Sequence, residues 1–257
     1  MRIGYRTLSL GEASFHEKLQ LAVNLQLDAV EVAANEFADQ ADAQAARALA
    51  DDMGLDISIV AHDLEFCSPQ RLDDSLEDLQ RTLHVCQALG ARSILSRSMN
   101  PPSGVPQTDT WHVCVEAFRA ATEMCDEGRI RFAVEADPDC FVNNLERVER
   151  LIDGVCHPNF YINFDPANYY LAGSDPLKVI DRLGARMIHG HIGDGIYQQQ
   201  HKGQTPIGDG EVPYAEIFAK LQDCNVDICM AIDHCQGADE VAAAADHIKS
   251  VLRVLGM

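Results

Sequence analysis

The sequence contains few basic residues, and this argues against some classes of binding partner. Its 257 residues contain 20 Lys and Arg against 40 Asp and Glu, which gives a formal net charge of 20 − 40 = −20. Binding to a nucleic-acid backbone needs a basic face that displaces counterions, and anionic membrane surfaces attract basic segments. We therefore expect neither nucleic acid nor a membrane surface as a partner.

Long apolar stretches and paired cysteines are missing as well. No run reaches the roughly 18 apolar residues of a transmembrane helix, and the N-terminal stretch MRIGYRTLSLGEASF lacks the apolar segment of a signal peptide. The nine cysteines form no CxxC pair. Scattered cysteines of this kind are typical of reduced thiols in a cytoplasmic protein, and they speak against a disulfide scaffold or a thiolate zinc site.

One pattern recurs from end to end: a short apolar run, a loop, and then a stretch with helical periodicity. The predicted strands are Arg2–Arg6, Asp28–Ala33, Asp56–His62, Ser93–Arg97, Arg131–Glu135, Phe160–Asp165, Met187–His191 and Ile228–Asp233. The predicted helices are roughly Phe15–Gln26, Ala41–Met53, Leu72–Leu89, Thr110–Asp126, Asn143–Ile152, Pro176–Leu183, Pro213–Gln222 and Ala238–Leu255.

Eight strand-helix units in 257 residues match the size of a (β/α)8 barrel. A doubly wound open sheet is the alternative, but such sheets usually have fewer strands, and no GxGxxG follows the first strand. We therefore predict an α/β protein with a single (β/α)8 TIM barrel domain over residues 1–257.

Four predicted strands end in a residue that can bind a metal ion. RFAVE ends in Glu135, FYINFD in Asp165, MIHGH in His191 and ICMAID in Asp233. Because the carboxyl ends of parallel barrel strands meet at one mouth, where barrel active sites lie, we expect these side chains to converge. Strand alternation supports this, since the residues on the opposite face of each strand are apolar, as packing against helices requires.

The same alternation predicts which other side chains face the barrel axis. It turns Glu31 inward on strand two. On strand three it turns His62 inward and Ile59 outward. On strand four it does not decide between Ser96 and Arg97.

Three carboxylates around one imidazole would repel one another at a dry mouth, and their pKa values would rise. A divalent cation removes this conflict. Three oxygen ligands and one nitrogen favour Mn²⁺, with Mg²⁺, Co²⁺ and Zn²⁺ as alternatives. The residues therefore predict one divalent metal ion bound by Glu135, Asp165, His191 and Asp233.

Four segments resemble the xylose-isomerase-like sugar phosphate isomerase/epimerase barrels: FAVEADP, INFDPANYYLAGSDP, IHGHIGDG and PIGDGEVPY. In such enzymes a Glu, an Asp, a His and a final Glu bind one divalent ion. The resemblance places these roles on Glu135, Asp165, His191 and Asp233. It also implies proton transfer next to a carbonyl, with Glu135 and Asp233 as catalytic carboxylates on opposite faces of a carbohydrate-like small molecule.

The sequence departs from the ketohexose 3-epimerases of this family at four positions. Asp233 stands where Glu is usual, Asn168 replaces a His, Phe141 replaces a substrate-binding Glu, and Tyr197 replaces an Arg in the loop after strand seven. We therefore expect the substrate to differ from a simple ketohexose.

Five further residues are predicted to contact the substrate: His62, Asn168, His189, Tyr197 and Lys202. His189 shares the inward face of His191, one layer deeper. Tyr197 and Lys202 belong to a long, polar, glycine-containing loop that we expect to cover the mouth. Loops of that length inside a compact domain are usually functional.

The preferred function is a metal-dependent isomerase or epimerase of a sugar, cyclitol or related keto-polyol, which transfers a proton next to the carbonyl through a metal-stabilised enediolate. The alternative is a lyase on the same barrel, a dehydratase or β-eliminase of a keto-sugar. A DNA-repair endonuclease with three zinc ions is disfavoured, since strand four offers no His and the chain is acidic. The sequence leaves open whether the chain forms a homo-oligomer.

Overall fold

A computed structural model describes residues 1–198 and 201–257. Its strands are β1 Arg2–Arg6, β2 Ala29–Ala33, β3 Asp56–Ala61, β4 Ser93–Arg97, β5 Arg131–Glu135, β6 Phe160–Phe164, β7 Met187–Ile192, β8 Gly195–Gln198, β9 His201–Gln204 and β10 Cys229–Ile232. Its α-helices are α1 Phe15–Asn24, α2 Gln40–Asp52, α3 Leu72–Ala88, α4 Gln107–Glu127, α5 Leu145–Val155, α6 Pro166–Leu171, α7 Pro176–Leu183, α8 Tyr214–Asp223 and α9 Ala238–Leu255.

Eight parallel strands close into a barrel in the order β1-β10-β7-β6-β5-β4-β3-β2. The prediction of a (β/α)8 TIM barrel is therefore confirmed. No helix in the described part of the chain has an apolar stretch long enough to cross a membrane.

The main core lies between the outer faces of the strands and the surrounding helices. Phe118 on α4 packs against Phe132 of β5 and Phe160 of β6, with ring centroids 5.9 and 5.7 Å away. All three side chains are fully buried, and burying one such side chain stabilises a fold by about 1.5–3 kcal/mol. This layer packs the strands against the helices and so fixes where their carboxyl ends meet.

Strand β3 carries a bulge that reverses the direction of its side chains. The register between β2 and β3 shifts by one residue at Ser58. Ile57 therefore packs in the outer core, whereas Ile59 lies in a small separate cluster inside the barrel. His62 then faces the helices, where its Nδ1 lies 2.5 Å from Thr82 Oγ1 on α3. The predictions that His62 faces inward and Ile59 outward are wrong, because a bulge puts one extra residue into the alternation.

The segment after β7 has a structure of its own, which the sequence did not predict. Strands β8 and β9 pair antiparallel. The buried carboxylate of Asp194 accepts hydrogen bonds from the backbone N–H groups of Gly195, Gly208, Gly210 and Val212, at 2.8 to 3.2 Å. A Cβ at position 210 would lie 2.0 Å from Asp194 Oδ1, so only glycine allows this close approach.

Helix α6 is a second unpredicted element, and it starts at the predicted ligand Asp165. The Asp165 carboxylate caps the helix by accepting a hydrogen bond from the backbone N–H of Asn168 at 3.0 Å. Pro166 occupies the first turn, where a missing N–H is tolerated. This cap places the Asn168 side chain beside the end of β5.

Candidate active site

The four predicted ligand residues lie together at the mouth of the barrel, and we call them the ligand cluster: Glu135, Asp165, His191 and Asp233. Counted over the whole residue, each is at most 6% exposed. His191 Nδ1 lies 3.2 Å from Glu135 Oε1, 3.5 Å from Asp233 Oδ2 and 3.9 Å from Asp165 Oδ2. Three carboxylates from three strands thus approach the same imidazole nitrogen.

The second nitrogen of His191 is held by Glu31, which faces inward on β2. Glu31 is 1% exposed, and its Oε2 lies 2.7 Å from His191 Nε2. Glu31 Oε1 lies 2.8 Å from Arg6 Nε, and Arg6 Nη1 donates to Asp233 Oδ2 at 2.8 Å. A carboxylate on Nε2 orients the ring and leaves Nδ1 to face a ligand, as in many metal-binding histidines.

The buried charges of the ligand cluster shift one another's pKa values. Burial, together with the nearby Glu135, raises the pKa of Asp165 to about 6. Burial would also raise the pKa of Asp233, but Arg6 and His191 hold it well below its usual range. Burial would lower the pKa of His191, yet Glu31 and Glu135 raise it well above its ordinary value. Strong mutual shifts of this kind are typical of functional sites.

One oxygen of the ligand cluster lacks a hydrogen bond. Asp165 Oδ2 is buried and has no hydrogen-bond partner among the described residues. Leaving a buried charged acceptor unpaired is costly. Oxygens of Glu135 and Asp165 and a nitrogen of His191 lie within 4.8 Å of one another, close enough to share one metal ion. An unpaired carboxylate oxygen beside a second carboxylate and an imidazole is a donor set suited to a divalent cation.

A cavity of about 600 Å³ opens beside the ligand cluster. Asn168, which is 2% exposed, lines it and donates from Nδ2 to Glu135 Oε1 at 2.9 Å. His234 lines it too, with Nε2 3.6 Å from Asp233 Oδ2 and 3.0 Å from the side-chain nitrogen of Gln204. The polar part of the wall includes Arg97, Asp137, Asn143, Asn168, Gln204 and His234.

Of the five residues predicted to contact the substrate, Asn168 lines this cavity. His62 lines a different cavity, between α2 and α3. His189 lies deeper in the barrel, hydrogen-bonded to Asn163 and Ser58, and burial lowers its pKa to about 3.

The two remaining predicted contacts, Tyr197 and Lys202, lie on the paired strands β8 and β9. Tyr197 is 42% exposed and packs edge-on against Tyr170 of α6. The Lys202 side chain lies outside the described residues. Tyr197 thus lies against the outer side of α6, and it is not among the residues that line the cavity.

Sequence reasoning missed Arg6 at this mouth and left Arg97 undecided. Arg6 is the last residue of β1 and lies on the same inward face as Gly4. Strand alternation could therefore have predicted that Arg6 points into the barrel. Arg97 ends β4 and shares a face with Leu95, which lies in the small cluster inside the barrel. Arg6 contacts the ligand cluster directly, whereas Arg97 lines the cavity.

The chain belongs to the xylose isomerase-like TIM barrel family, whose model matches residues 19–251. The resemblance inferred from the four segments is therefore confirmed. Among curated proteins, an inosose dehydratase from Clostridium perfringens is 22% identical over 132 residues, which cover 46% of this chain and 44% of the relative. The match thus spans less than half of that relative's length.

Solved structures with the same fold include both epimerases and dehydratases. A 3-keto-D-glucoside 4-epimerase from E. coli superposes with a TM-score of 0.84 at 14% identity, covering 98% of this chain and 99% of the other. A probable 3-DHS dehydratase of petrobactin synthesis from Bacillus anthracis gives 0.80 at 17% identity, covering 97% and 99%. At these identities the likeness shows the fold, and the chemistry must be argued from the site.

Proposed function

We propose that this protein is a divalent-metal-dependent isomerase or epimerase of a sugar, cyclitol or related keto-polyol. The observation that carries the proposal is the approach of three buried carboxylates to His191 Nδ1, with no hydrogen bond to Asp165 Oδ2 from any described residue. Asn168 and His234, which contact Glu135 and Asp233, also line a polar cavity of about 600 Å³, within the size range of small-molecule sites.

The ligand cluster fits a divalent cation, because its donors are three carboxylates and one oriented imidazole. Glu135, Asp165, His191 and Asp233 would hold the ion, and we infer Mn²⁺ from this mixture of oxygen and nitrogen ligands. When bound, the cation supplies Lewis-acid stabilisation of negative charge that develops on a substrate oxygen.

Two carboxylates of the ligand cluster would move the proton. Glu135 ends β5 and is held by Asn168 at 2.9 Å, so it is the better candidate to remove the proton next to the carbonyl. Asp233 follows β10, which β6 and β7 separate from β5 in the barrel. It therefore approaches the substrate from another side of the mouth, where it would return the proton.

The test is proton exchange measured by ¹H NMR in D₂O, on metal-reconstituted protein and a panel of keto-sugars and keto-cyclitols. An isomerase or epimerase exchanges the hydrogen next to the carbonyl and leaves the carbon skeleton intact. If no keto-polyol in the panel exchanges this hydrogen with any of Mn²⁺, Mg²⁺, Co²⁺ or Zn²⁺, the proposed function is wrong.

A dehydratase or β-eliminase of a keto-sugar is the second candidate, and the ion pair between Asp233 and Arg6 favours it. Asp233 is already paired with Arg6 at 2.8 Å, which weakens it as the group that returns a proton. A lyase shares the first proton abstraction but expels a leaving group and needs no reprotonation at carbon. The same NMR experiment separates the two, since a lyase yields an unsaturated product.

We also infer that the enzyme works in the cytoplasm. All nine cysteines are free thiols, and six of them are buried. Because its cysteines are reduced thiols, the protein is suited to a reducing compartment such as the cytoplasm.

A further inference from the structure

We propose that this site selects uncharged polyols and discriminates against substrates that carry a phosphate or a carboxylate. The inference rests on the proposed function, because it concerns the substrate class of the same cavity. The inference is drawn from the hydrogen bonds of Arg97, which is the residue of the cavity wall best suited to bind an anion.

Arg97 is already occupied by two carboxylates of the protein itself. Its Nε and Nη2 donate to the two oxygens of Asp63 at 2.9 and 2.5 Å, and its Nη1 donates to Asp137 Oδ2 at 2.5 Å. We call these three residues the Arg97 triad. The paired contact with Asp63 is the geometry by which a guanidinium recognises a carboxylate or phosphate. Asp63 therefore takes the place that an anionic group of the substrate would need.

The charge of the triad opposes an anion as well. One guanidinium and two carboxylates sum to 1 − 2 = −1. Asp139 adds a further carboxylate to the cavity wall, and the ligand cluster lies beside it. A phosphate entering this cavity could pair with Arg97 only by displacing an acidic side chain from it. It would also lie close to the acidic side chains of the wall, and like charges in close contact are unfavourable.

The rest of the polar wall suits hydroxyl groups. Asn143, Asn144, Asn168 and Gln204 contribute side-chain amides, which both donate and accept hydrogen bonds. Asn143 Oδ1 is buried and has no hydrogen-bond partner among the described residues. A hydroxyl can donate to this oxygen, whereas a fully ionised phosphate or a carboxylate cannot.

Binding of matched pairs tests the proposal without requiring turnover. D-fructose and D-fructose 6-phosphate, and D-tagatose and D-tagatose 6-phosphate, are titrated into the full chain by calorimetry and saturation-transfer NMR, with Mg²⁺ and after EDTA treatment. The unaltered protein should bind each neutral sugar at least about tenfold more tightly than its phosphate, since burying an unpaired charge is costly. Equal or tighter binding of the phosphates would overturn the proposal.

Variants then assign the effect to the Arg97 triad. Asp63→Asn and Asp137→Asn each replace a carboxylate on Arg97 with a neutral amide, which holds the guanidinium more weakly. Each should strengthen phosphate binding by about three- to tenfold, because a phosphate can then compete for the charge-assisted hydrogen bonds of Arg97. Asp139→Asn is the matched control, because it removes one acidic charge from the same wall without contacting Arg97. If it improves phosphate binding as much as both triad variants do, general repulsion explains the selectivity and the assignment to Arg97 is wrong.

Two outcomes keep this inference apart from the proposed function. If no member of any pair binds, with or without Mg²⁺, the selectivity proposed here is rejected, and the proton-exchange panel of keto-sugars and keto-cyclitols decides the proposed function separately. If neutral sugars and their phosphates bind alike, the proposed function survives and the selectivity alone is rejected.

Discussion

Two groups of carboxylates lie at the same mouth of the barrel, and they differ in what balances their charge. In the ligand cluster, the side chains of Glu135, Asp165 and Asp233 are 6%, 0% and 8% exposed. In the Arg97 triad, those of Asp63 and Asp137 are 41% and 13% exposed. Asp63 and Asp137 enclose one guanidinium, whereas one oxygen of Asp165 in the ligand cluster receives no hydrogen bond from the described part of the chain.

The difference lies in how far each group of carboxylates is already satisfied by the protein and by solvent. The triad satisfies its carboxylates with its own arginine and with solvent, which also screens them. The ligand cluster is too buried for solvent to do so, and Arg6 and His191 are shared among Glu31 and three further carboxylates. An added cation would complete the ligand cluster, while the triad needs none.

The largest effect should follow from changing the ligand cluster itself. Glu135→Gln keeps the shape and the hydrogen bond from Asn168 but removes the charge, so kcat should fall by about 10²–10⁴-fold or more. Steady-state kinetics on metal-loaded protein, with circular dichroism to verify folding, provides the measurement. Near-normal turnover in this variant would move the role of base to another residue.

The next effect should come from the residue that orients His191. Glu31→Gln weakens the contact with His191 Nε2, and the affinity for Mn²⁺ or Mg²⁺ should drop by about 10–100-fold. Calorimetric titration of metal into EDTA-treated protein measures this. Glu65→Gln is the matched control, since the Glu65 side chain is half exposed and its ion pair is with Arg71. Equal affinities in both variants would contradict the orienting role of Glu31.

Metal affinity should also depend on pH, through Asp165. The pKa of this buried carboxyl is raised to about 6, and a proton competes with a cation for the same oxygens. Affinity should therefore decrease as the pH falls below about 6, by up to about tenfold per pH unit. The raised pKa of His191 adds a further dependence above that pH. Titrations at a series of pH values check this, and Asp165→Asn should abolish the acid part of the profile.

The smallest effect should come from the Arg97 triad. Asp63→Asn should change metal affinity by less than about threefold, and stability by no more than about 1 kcal/mol, because partly exposed ion pairs contribute little. Metal titration and thermal unfolding of the same preparation measure both quantities. A loss of metal affinity as large as that of Glu31→Gln would mean that the triad and the ligand cluster act as one unit.

Residue pattern alone predicted the barrel and the position of the ligand cluster. Strands buried between a barrel interior and a layer of helices must alternate between two faces. This rule holds at the carboxyl ends of β5, β6, β7 and β10, and it also turns Glu31 inward. The convergence of Glu135, Asp165, His191 and Asp233 therefore follows from strand phase and from the parallel closure of the sheet.

Only the tertiary structure decided which way His62 points and which carboxylates pair with Arg6 and Arg97. The bulge at Ser58 reverses the direction of the side chains at the end of β3. The sequence DISIVA is apolar on both faces after its first residues, so it gives no sign of the extra residue. Arg6 reaches Asp233 across 227 positions of sequence, and Arg97 reaches Asp63 and Asp137 across 34 and 40. Such pairings depend on which strands close next to one another, because Coulomb attraction selects partners by distance in space and not along the chain.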